Sequence, residues 1–322
     1  MSSQSQALTT SSAARVRGRT QRGADAGRKL PLGRQIVIQI ILLFIAFTVI
    51  FPILWIVTLS LDPRNISRPT TLNLIPTGAS LQAYVDVIKQ PTSNKISFVG
   101  LAFNSFKLAA GTAAASVIVG VLAAYSFSRF RFKGREGLML GVVTVLMLPS
   151  IASLPALYVL LNRFQLQNPE THKVIFNLRD SLWGVGLAMT SGMLPFAIWN
   201  LKGFLDTIPK ELEEAAIIDG ASPNQVFIQI VLPLALPALA VTAFLGFMSG
   251  WTEFALSWQF LTKVPDHTLM MELYNMVGQY AGNTPWSKFA AMSLLVSLPV
   301  SIVYLLLQKW IVGGLTLGGV KG

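Results

Sequence analysis

The sequence predicts an all-α, polytopic membrane protein with six transmembrane helices and both termini in the cytoplasm. Of the 322 residues, 52% are hydrophobic and only 12% are charged, whereas soluble domains carry about 25% charged residues. The charges are also segregated, because six stretches of at least 20 residues contain none, and about 20 apolar residues let a helix cross the hydrocarbon core. The predicted spans are residues 36–61, 101–127, 138–161, 183–205, 233–261 and 288–310.

Basic residues set the predicted orientation of these spans. Residues 1–34 contain seven lysines or arginines against one acid, Asp25. The loop after the second span adds four more basic residues: Arg129, Arg131, Lys133 and Arg135. Because cytoplasmic loops are enriched in Lys and Arg, both segments are predicted inside, and residues 206–232 then fall on the same side. The net charge of +11 therefore does not indicate nucleic-acid binding, and the basic tail has no aromatic residue that could stack on bases.

Composition divides the chain into three parts. Residues 1–34 form a basic cytoplasmic tail that is predicted to be disordered, because it has too few large apolar side chains to bury a core. Residues 35–311 form the transmembrane domain, and residues 312–322 form a glycine-rich cytoplasmic tail. The chain contains no cysteine, which excludes disulfides and cysteine-based metal sites.

The spans differ in composition. The second span is rich in Gly, Ala and Ser, and small side chains allow helix backbones to approach closely in lipid, so this span is predicted to lie inside the bundle. The other five spans contain proline, which permits bends where neighbouring groups satisfy the freed carbonyls. These prolines are Pro52, Pro149, Pro155, Pro195, Pro233, Pro237 and Pro299. Bends suit a protein that changes shape, although static kinks explain any single proline equally well.

A charged helix–turn–helix is predicted within residues 209–237, between the fourth and fifth spans. Pro209 suits a first helical position, and three glutamates follow in the first turns, where negative charge complements the helix dipole. Gly220 suits the C-terminal stop, because glycine adopts a left-handed backbone without a clash. Ser222 and Gln225 then have the spacing of a capping box at the start of a second helix.

The sequence shows no catalytic or metal-binding constellation. It has no G-x-x-x-x-G-K-[ST] phosphate loop, so the chain is not expected to bind ATP in that way, and no cofactor, metal site or enzyme activity is predicted. His172 and His267 are the only histidines. Both fall in outside loops without the spacing of metal ligands, and they are expected to be solvated.

Glu253 is the single acid inside a predicted span. A carboxylate within the membrane is costly unless it is paired or faces water, so Glu253 and its neighbour Trp251 are candidates for a translocation path. A structural hydrogen bond, or a place near the outer interface, is an equally good interpretation. A proton or ion carrier would need further intramembrane acids or histidines, and the sequence does not supply them.

The spacing inside residues 209–237 is more specific. Glu214-Ala215-Ala216, then Gly220 and, after nine residues, Ile230-Val231-Leu232-Pro233 resemble the EAA---G---------I-LP signature of permease subunits of ATP-binding cassette importers. In that family the short helix docks into a groove on the ATP-hydrolysing subunit. The resemblance therefore implies that five residues couple this chain to ATP hydrolysis by a partner: Glu214, Ala215, Ala216, Asp219 and Gly220.

The resemblance covers residues 36–322 and extends to the sugar-importing permeases. Trp251, Glu253 and Phe254 resemble their W-N-E-F stretch, with Thr252 in place of the usual Asn. The C-terminus resembles that of the maltose/maltodextrin permeases, whose glycine-rich tail is thought to reach the interface between the ATPase subunits. The corresponding positions in this chain are Gly314, Gly318, Gly319 and Gly322.

The same resemblance implies the function and the partners. It indicates a multi-pass permease of the bacterial cytoplasmic (inner) membrane that moves maltose or maltodextrins by alternating access. The implied partners are membrane lipid, a homologous second permease, two cytoplasmic ATPase subunits that bind the ATP, and an extracytoplasmic sugar-binding protein. A permease for another sugar or for glycerol phosphate, and an ion-coupled secondary carrier, remain the alternatives.

Overall fold

The computed structural model describes residues 31–64, 75–171, 174–277 and 284–318, with side chains to residue 310. Residues 1–30 of the predicted basic tail lie outside the described residues. The helices of the described ranges are α1 (Leu32–Leu61), α2 (Gln82–Lys89), α3 (Phe98–Arg129), α4 (Arg135–Val145), α5 (Leu154–Asn162), α6 (Leu182–Leu205), α7 (Glu211–Ile218), α8 (Pro223–Val226), α9 (Leu232–Leu234), α10 (Leu236–Trp251), α11 (Ala255–Phe260), α12 (Leu269–Asn275) and α13 (Trp286–Gly318).

Four of these helices, α1, α3, α6 and α13, are long and apolar enough to cross a membrane alone. Two bent pairs add up to two more spans within the described ranges. A 3-10 turn at Ser150–Ser153 leads into α5, and this unit meets α4 at 100°. The second pair is α8 to α9, joined by a π-helical turn at Phe227–Val231, which meets α10 at 74°. The structure therefore holds four to six candidate spans.

Prolines accompany both bends but do not interrupt the other spans. Pro149 immediately precedes the 3-10 turn between α4 and α5, and Pro237 lies in the first turn of α10. By contrast, Pro52, Pro195 and Pro299 lie inside helices that continue through them. Proline has no N–H and so leaves one backbone carbonyl without its helical partner. A helix continues through a proline where neighbouring groups satisfy that carbonyl, so the position of a proline in the sequence does not by itself identify a broken span.

The small-residue helix α3 packs against α6 and α10 at the centre of the fold. Ala109 and Ala113 of α3 face Gly250 and Gly246 of α10. A Cβ added to Gly250 would lie 2.6 Å from the Ala109 Cα, and one added to Gly246 would lie 3.0 Å from the Ala113 Cα. The two backbones touch because both helices present small side chains one turn apart. The predicted interior position of this span is confirmed.

The described chain is mostly helical, as predicted, and one short β-hairpin is added to the predicted helices. Strands β1 (Gln165–Gln167) and β2 (Val174–Asn177) pair antiparallel in the loop between α5 and α6. The second strand reads Val-Ile-Phe-Asn, and β-branched and aromatic residues suit a pleated surface. Because the strands are three and four residues long, their signal was too short to separate from a polar loop.

Candidate functional site

The predicted helix–turn–helix is present, and its first helix presents an exposed face. Helix α7 begins at Glu211, two residues after Pro209, so the proline precedes the helix instead of occupying its first position. Glu214 and Ala215 are exposed, as are three large apolar side chains of the helix: Leu212, Ile217 and Ile218. Ala216 is half-buried and packs against a core cluster beneath the helix. A helix with apolar residues on an outward face has a surface that suits a partner.

The turn after α7 has the geometry that its sequence predicts. Gly220 has a φ of +90°. The Ala221 N–H donates to the Ala216 carbonyl at 2.9 Å, and the Gly220 N–H donates to the Ile217 carbonyl at 3.0 Å, which is the hydrogen-bond pattern of a Schellman motif. Asp219 and Gly220 are both exposed at the tip of this turn.

The capping box at the start of the second helix is also confirmed. The Ser222 N–H donates to Gln225 Oε1 at 2.8 Å, and the Gln225 N–H donates to Ser222 Oγ at 3.4 Å. These bonds satisfy backbone donors that a helix start leaves without partners. The turn between α7 and α8 is therefore closed by local hydrogen bonds on both sides of Gly220.

Beneath the exposed face, a buried ion pair fastens α7 to the end of α3. Arg129 Nε lies 2.5 Å from Glu213 Oε1, and the two side chains are 7% and 10% exposed. The Tyr125 hydroxyl donates to Glu213 Oε2 at 3.0 Å. Arg129 Nη2 also donates to the Ile208 carbonyl at 3.1 Å. Glu213, which attaches α7 to α3, is thus distinct from Leu212, Ile217 and Ile218, which α7 exposes.

Neither Glu213 nor Arg129 was predicted to be a site residue. Glu213 stood among three glutamates assigned to the helix dipole, and Arg129 was assigned to the basic loop. Neighbouring residues of a helix point about 100° apart, so Glu213 is buried while Glu214 is exposed. An acid at an inward position of a short helix was the one signal that could have indicated a buried partner.

The ion pair continues into a second set of contacts at the end of α6. Arg129 Nη1 donates to Ser128 Oγ at 2.9 Å, and Ser128 Oγ donates to Asp206 Oδ1 at 2.6 Å. Lys202 Nζ lies 2.6 Å from Asp206 Oδ2. Burial acts to raise the pKa of Asp206, but the Lys202 and Ser128 hydrogen bonds outweigh it and hold the pKa below its ordinary value. Helices α3, α6 and α7 therefore meet in one polar network, which we call the anchor network.

The two candidate path residues have different surroundings. Trp251 is 2% exposed, stacks on Phe247 at a ring distance of 5.8 Å, and donates from Nε1 to the Val296 carbonyl at 2.9 Å. Glu253 is 8% exposed and lies in the break between α10 and α11. Trp251, the last residue of α10, thus packs against α13, whereas Glu253 lies where the backbone is irregular.

Glu253 accepts hydrogen bonds from the first turn of α11. The Leu256 N–H donates to Oε1 at 2.6 Å, the Ser257 N–H donates to Oε2 at 2.9 Å, and the Ser257 hydroxyl also donates to Oε2. A carboxylate suits this place, because a helix start leaves N–H groups without partners. The structural hydrogen bond that the sequence left open is therefore present.

Glu253 also borders a cavity of about 310 Å³ between the 3-10 turn before α5, helix α6 and the α10–α11 break. Its lining includes Ser150, Ser153, Ser249, Met189 and Met193. Hydroxyl groups and flexible apolar side chains can contact a polar solute with apolar ring faces. The structure thus places Glu253 both in a capping role and at a cavity wall.

A second polar centre lies at the opposite end of α3. The Glu272 carboxylate is fully buried. It accepts hydrogen bonds from Asn94 Nδ2 at 2.7 Å, from Asn275 Nδ2 at 3.2 Å and from the Thr92 hydroxyl, and His267 Nδ1 lies 2.6 Å from it. The expectation that His267 is solvated is wrong, because the ring folds back onto this carboxylate.

The hydrogen bonds to Glu272 control its ionisation. Burial acts to raise the pKa of Glu272, but hydrogen bonds from Thr92, His267 and Asn94 together hold that pKa below its ordinary value. Asn104 of α3 adds donors to the Pro265 and His267 carbonyls at 2.7 and 3.0 Å. The loop before α12 is thereby fastened to α3.

Other predicted site residues are only partly described. Gly314 and Gly318 lie in the last turns of α13, whereas Gly319, Gly322 and His172 lie outside the described residues. In the described ranges, no group of three or more His, Asp or Glu side chains is arranged to hold a metal ion.

Comparison with known proteins places these features in a family. Residues 116–316 match the family described as the binding-protein-dependent transport system inner membrane component. The chain is 35% identical over 283 residues to the galactooligosaccharides transport system permease protein GanQ of Bacillus subtilis strain 168, covering 88% of this chain and 94% of that protein. It is also 35% identical over 294 residues to the maltose/maltodextrin transport system permease protein MalG of Escherichia coli strain K12, with coverage of 88% and 94%.

Solved structures share the fold at lower sequence identity. A chain of a bacterial ABC transporter involved in the import of the acidic polysaccharide alginate matches with a TM-score of 0.67 at 21% identity, over 85% of this chain and 95% of that chain. A chain of the MetNI methionine ABC transporter in an inward-facing conformation matches with a TM-score of 0.53 at 16% identity, over 67% and 95%.

Proposed function

This chain belongs to the family of inner-membrane components of binding-protein-dependent transport systems, and we propose that it is the permease subunit of an ATP-driven importer for maltose, maltodextrins or a related oligosaccharide. Relatives that are 35% identical over most of their length are named for maltose/maltodextrin and galactooligosaccharide transport. A permease for another sugar or for glycerol phosphate is the alternative within the same class.

The proposed arrangement has six spans, with both termini in the cytoplasm of a bacterium. Each bent helix pair counts as one span in this arrangement. The positive-inside rule puts the basic loop around Arg131 inside, and the Arg129–Glu213 contact brings residues 206–232 to that same end. The orientation inferred from charge and the contact between helices therefore agree.

The proposed partners are a homologous second permease, two cytoplasmic ATPase subunits and an extracytoplasmic sugar-binding protein. The single observation that carries the proposal is the form of α7, a charged helix that exposes Leu212, Ile217 and Ile218 and is held from beneath by a buried ion pair. When a docked subunit displaces such a helix, the helix stays attached to α3 and α3 is displaced with it. Glu214, Ala215, Ala216, Asp219 and Gly220 form the proposed contact with an ATPase subunit.

The mechanism follows from this attachment. ATP binding, which closes the partner ATPase pair, displaces α7, and the Arg129–Glu213 pair transmits the displacement to α3. Because α3 packs against α6 and α10, these spans move with it and open the sugar path outward; hydrolysis resets them. The chain itself positions the helices, and its partners supply the energy.

The distinguishing test compares the ATP-driven importer with an ion-coupled carrier. Uptake of labelled maltose, maltodextrins and galactooligosaccharides is measured in cells that express the chain with its permease, binding-protein and ATPase partners, and in cells that lack only the ATPase. An importer loses uptake without the ATPase, whereas a carrier retains uptake as long as an ion gradient persists. Uptake that survives loss of the ATPase and stops when the gradient is collapsed would contradict the proposal.

A single substitution at the turn provides a sharper test. Gly220→Val should abolish sugar uptake while the subunit remains in the membrane, because a β-branched residue is strained at a φ of +90° and the added atoms alter the docking tip. The matched control is Gly203→Val in α6, where an added Cβ meets nothing within 4 Å. Normal transport by the Gly220 variant would exclude the turn from coupling.

A further inference from the structure

A basic cavity of about 490 Å³ opens between the α3–α4 turn and the linker from α6 to α7. Its walls come from Ser128, Arg129, Arg131 and Arg135 on one side and from residues 206–211 on the other. Four cations line it: Arg129, Arg131, Arg135 and Lys210. Two carboxylates, Asp206 and Glu211, complete the charged lining. The cavity therefore combines a surplus of positive charge with an open polar surface.

Only part of this charge is neutralised within the chain. Arg129 is paired with Glu213, and Asp206 is paired with Lys202. Within the described ranges, Arg131, Arg135 and Lys210 have no carboxylate within 4.0 Å. Three guanidinium or ammonium groups thus remain available around one cavity, and guanidinium groups match the geometry of a phosphate.

The same turn carries apolar rings that suit the edge of a membrane. Phe130 and Phe132 are 56% and 40% exposed, and they alternate with Arg131 and Lys133 along the chain. Phe130 lies edge-on to Tyr125 at a ring distance of 5.8 Å, and Phe132 lies 5.6 Å from Phe127. The rings therefore extend the apolar end of α3 while Arg131 lines the cavity, an arrangement typical of the interface between acyl chains and headgroups.

We propose that this cavity binds the phosphate of an anionic phospholipid, and that the bound headgroup fixes the linker that carries α7. Basic pockets between transmembrane helices on the cytoplasmic side have the chemistry to hold acidic headgroups. The headgroup would join Arg131 and Arg135 of the turn to Lys210 of the linker, next to the anchor network. The proposal rests on the proposed cytoplasmic placement of this end of the protein.

An anionic lipid fits these observations better than an acidic surface of a protein subunit. The proposed contact with the ATPase subunit is the exposed apolar face of α7, formed by Leu212, Ile217 and Ile218, and none of these three residues lines the cavity. The cavity cations are bordered by exposed phenylalanines that extend a transmembrane helix. A ligand with a charged headgroup and an apolar tail satisfies both features at once.

The test uses the complete transporter, copurified with its ATPase subunits, in nanodiscs of phosphatidylcholine with or without phosphatidylglycerol. Native mass spectrometry measures retained phosphatidylglycerol, and ATP hydrolysis is measured in parallel. The variants are Arg131→Gln/Arg135→Gln and, separately, Lys210→Gln, in case the double variant does not assemble. Lys133→Gln is the matched control, because Lys133 lies in the same turn outside the lining of this cavity.

We expect the wild type to retain phosphatidylglycerol in preference to phosphatidylcholine. Each charge removed from the cavity should weaken that preference about fivefold, and Lys133→Gln should leave it unchanged. Equal retention by the cavity variants and the control would overturn the proposal. A different outcome would assign the cations to a protein contact. In that case the cavity variants lose their ATPase subunits in phosphatidylcholine alone, and they retain phosphatidylglycerol as the wild type does in the mixed nanodiscs.

A further arm separates lipid from a soluble anion. We expect phosphatidylglycerol to stimulate ATP hydrolysis, because the bound headgroup fixes the linker that carries α7. Inorganic phosphate added to phosphatidylcholine nanodiscs should not reproduce this stimulation, because it lacks the tail that the phenylalanines contact. Equal stimulation by inorganic phosphate would show a soluble-anion site and reject the lipid. ATP-dependent sugar uptake by the wild type in sealed proteoliposomes of phosphatidylcholine alone tests the transport function separately from the lipid site.

Discussion

At the scale of single residues, two buried glutamates show how environment assigns different roles to one side chain. Glu253 lies in a break of the membrane region and receives backbone N–H groups from the start of α11. Glu272 lies in helix α12, outside the spans, and is hydrogen-bonded by the side chains of Thr92, Asn94 and His267. Both satisfy the rule that a buried carboxylate needs hydrogen bonds, and each fixes a piece of irregular backbone.

The Glu272 cluster predicts a pH-dependent stability. Because the folded-state pKa lies below the ordinary value of 4.5, the ionised carboxylate contributes its full stabilisation above that value and loses it as the pH falls toward the lowered pKa. Glu272→Gln should lower the unfolding free energy by about 1–3 kcal/mol at neutral pH, and the difference from wild type should shrink below pH 4.5.

Thermal unfolding of the purified transporter across this pH range measures the effect. Glu170→Gln is the control, because Glu170 is an exposed acid of another outside loop and its replacement should change stability by less than about 0.5 kcal/mol. A difference between Glu272→Gln and wild type that persists unchanged in acid would show that ionisation of Glu272 is not the source of the stabilisation.

At the scale of elements, α7 is a short helix whose position depends on its attachment. Eight residues are too few for a stable isolated helix. Its position is set by the Glu213–Arg129 pair, by the packing of Ala216 on a core cluster and by the closed turn at Gly220. These contacts hold a polar segment between spans in a defined position, as the proposed coupling role requires.

The ion pair supports a prediction about coupling. Glu213→Gln leaves the Arg129 guanidinium buried without its counter-charge, which should cost about 3–5 kcal/mol of stability and lower the amount of sugar transported per ATP hydrolysed. The double variant Glu213→Gln/Arg129→Met should cost less than the sum of the two single changes, because the groups act as a pair. Thermal unfolding and the transport-to-hydrolysis ratio of the assembled transporter measure the two effects.

Glu214→Gln separates anchoring from docking. Glu214 is adjacent but exposed, so its replacement should leave stability within about 0.5 kcal/mol of wild type while it weakens coupling to the ATPase. Equal losses of stability from the Glu213 and Glu214 variants would remove the distinction between the two faces of α7.

At the scale of the whole molecule, α3 joins two polar centres. Asn104 near its start bonds the loop beside Glu272, and Arg129 at its end pairs with Glu213. The step of 25 positions from Asn104 to Arg129 corresponds to about 37 Å of helix, which exceeds the roughly 30 Å thickness of the hydrocarbon core. One helix therefore connects the loops proposed to lie outside with the segment proposed to dock the ATPase.

The proposed topology can be tested with single thiols, because the chain contains no cysteine. Ile75→Cys and Glu170→Cys, both at exposed positions, should react with an impermeant maleimide in intact spheroplasts. Lys133→Cys, also exposed, should react only after the membrane is permeabilised, because the basic loop is proposed to be cytoplasmic. Labelling of Lys133→Cys in intact spheroplasts, with uptake retained, would reverse the orientation.

The sequence by itself determined the features that depend on local chemistry. Charge-free stretches indicated helices able to cross a membrane, the Gly220 turn and the Ser222–Gln225 capping box followed from backbone preferences, and the small residues of α3 indicated close packing. The family followed from the spacing of Glu214, Ala215, Ala216 and Gly220. Each of these depends on residues that are near one another in the chain.

Only the tertiary structure decided which polar side chains meet across long separations. Helical geometry shows that Glu213 and Glu214 point in different directions, but only the packing of α3, α6 and α7 decides that Glu213 is buried against Arg129 while Glu214 is exposed. The sequence around His267 indicates only a loop residue. The fold of α12 brings Glu272 beside its ring. Burial and pairing depend on how the whole chain packs, and they determine which charged side chains are buried in pairs and which are exposed.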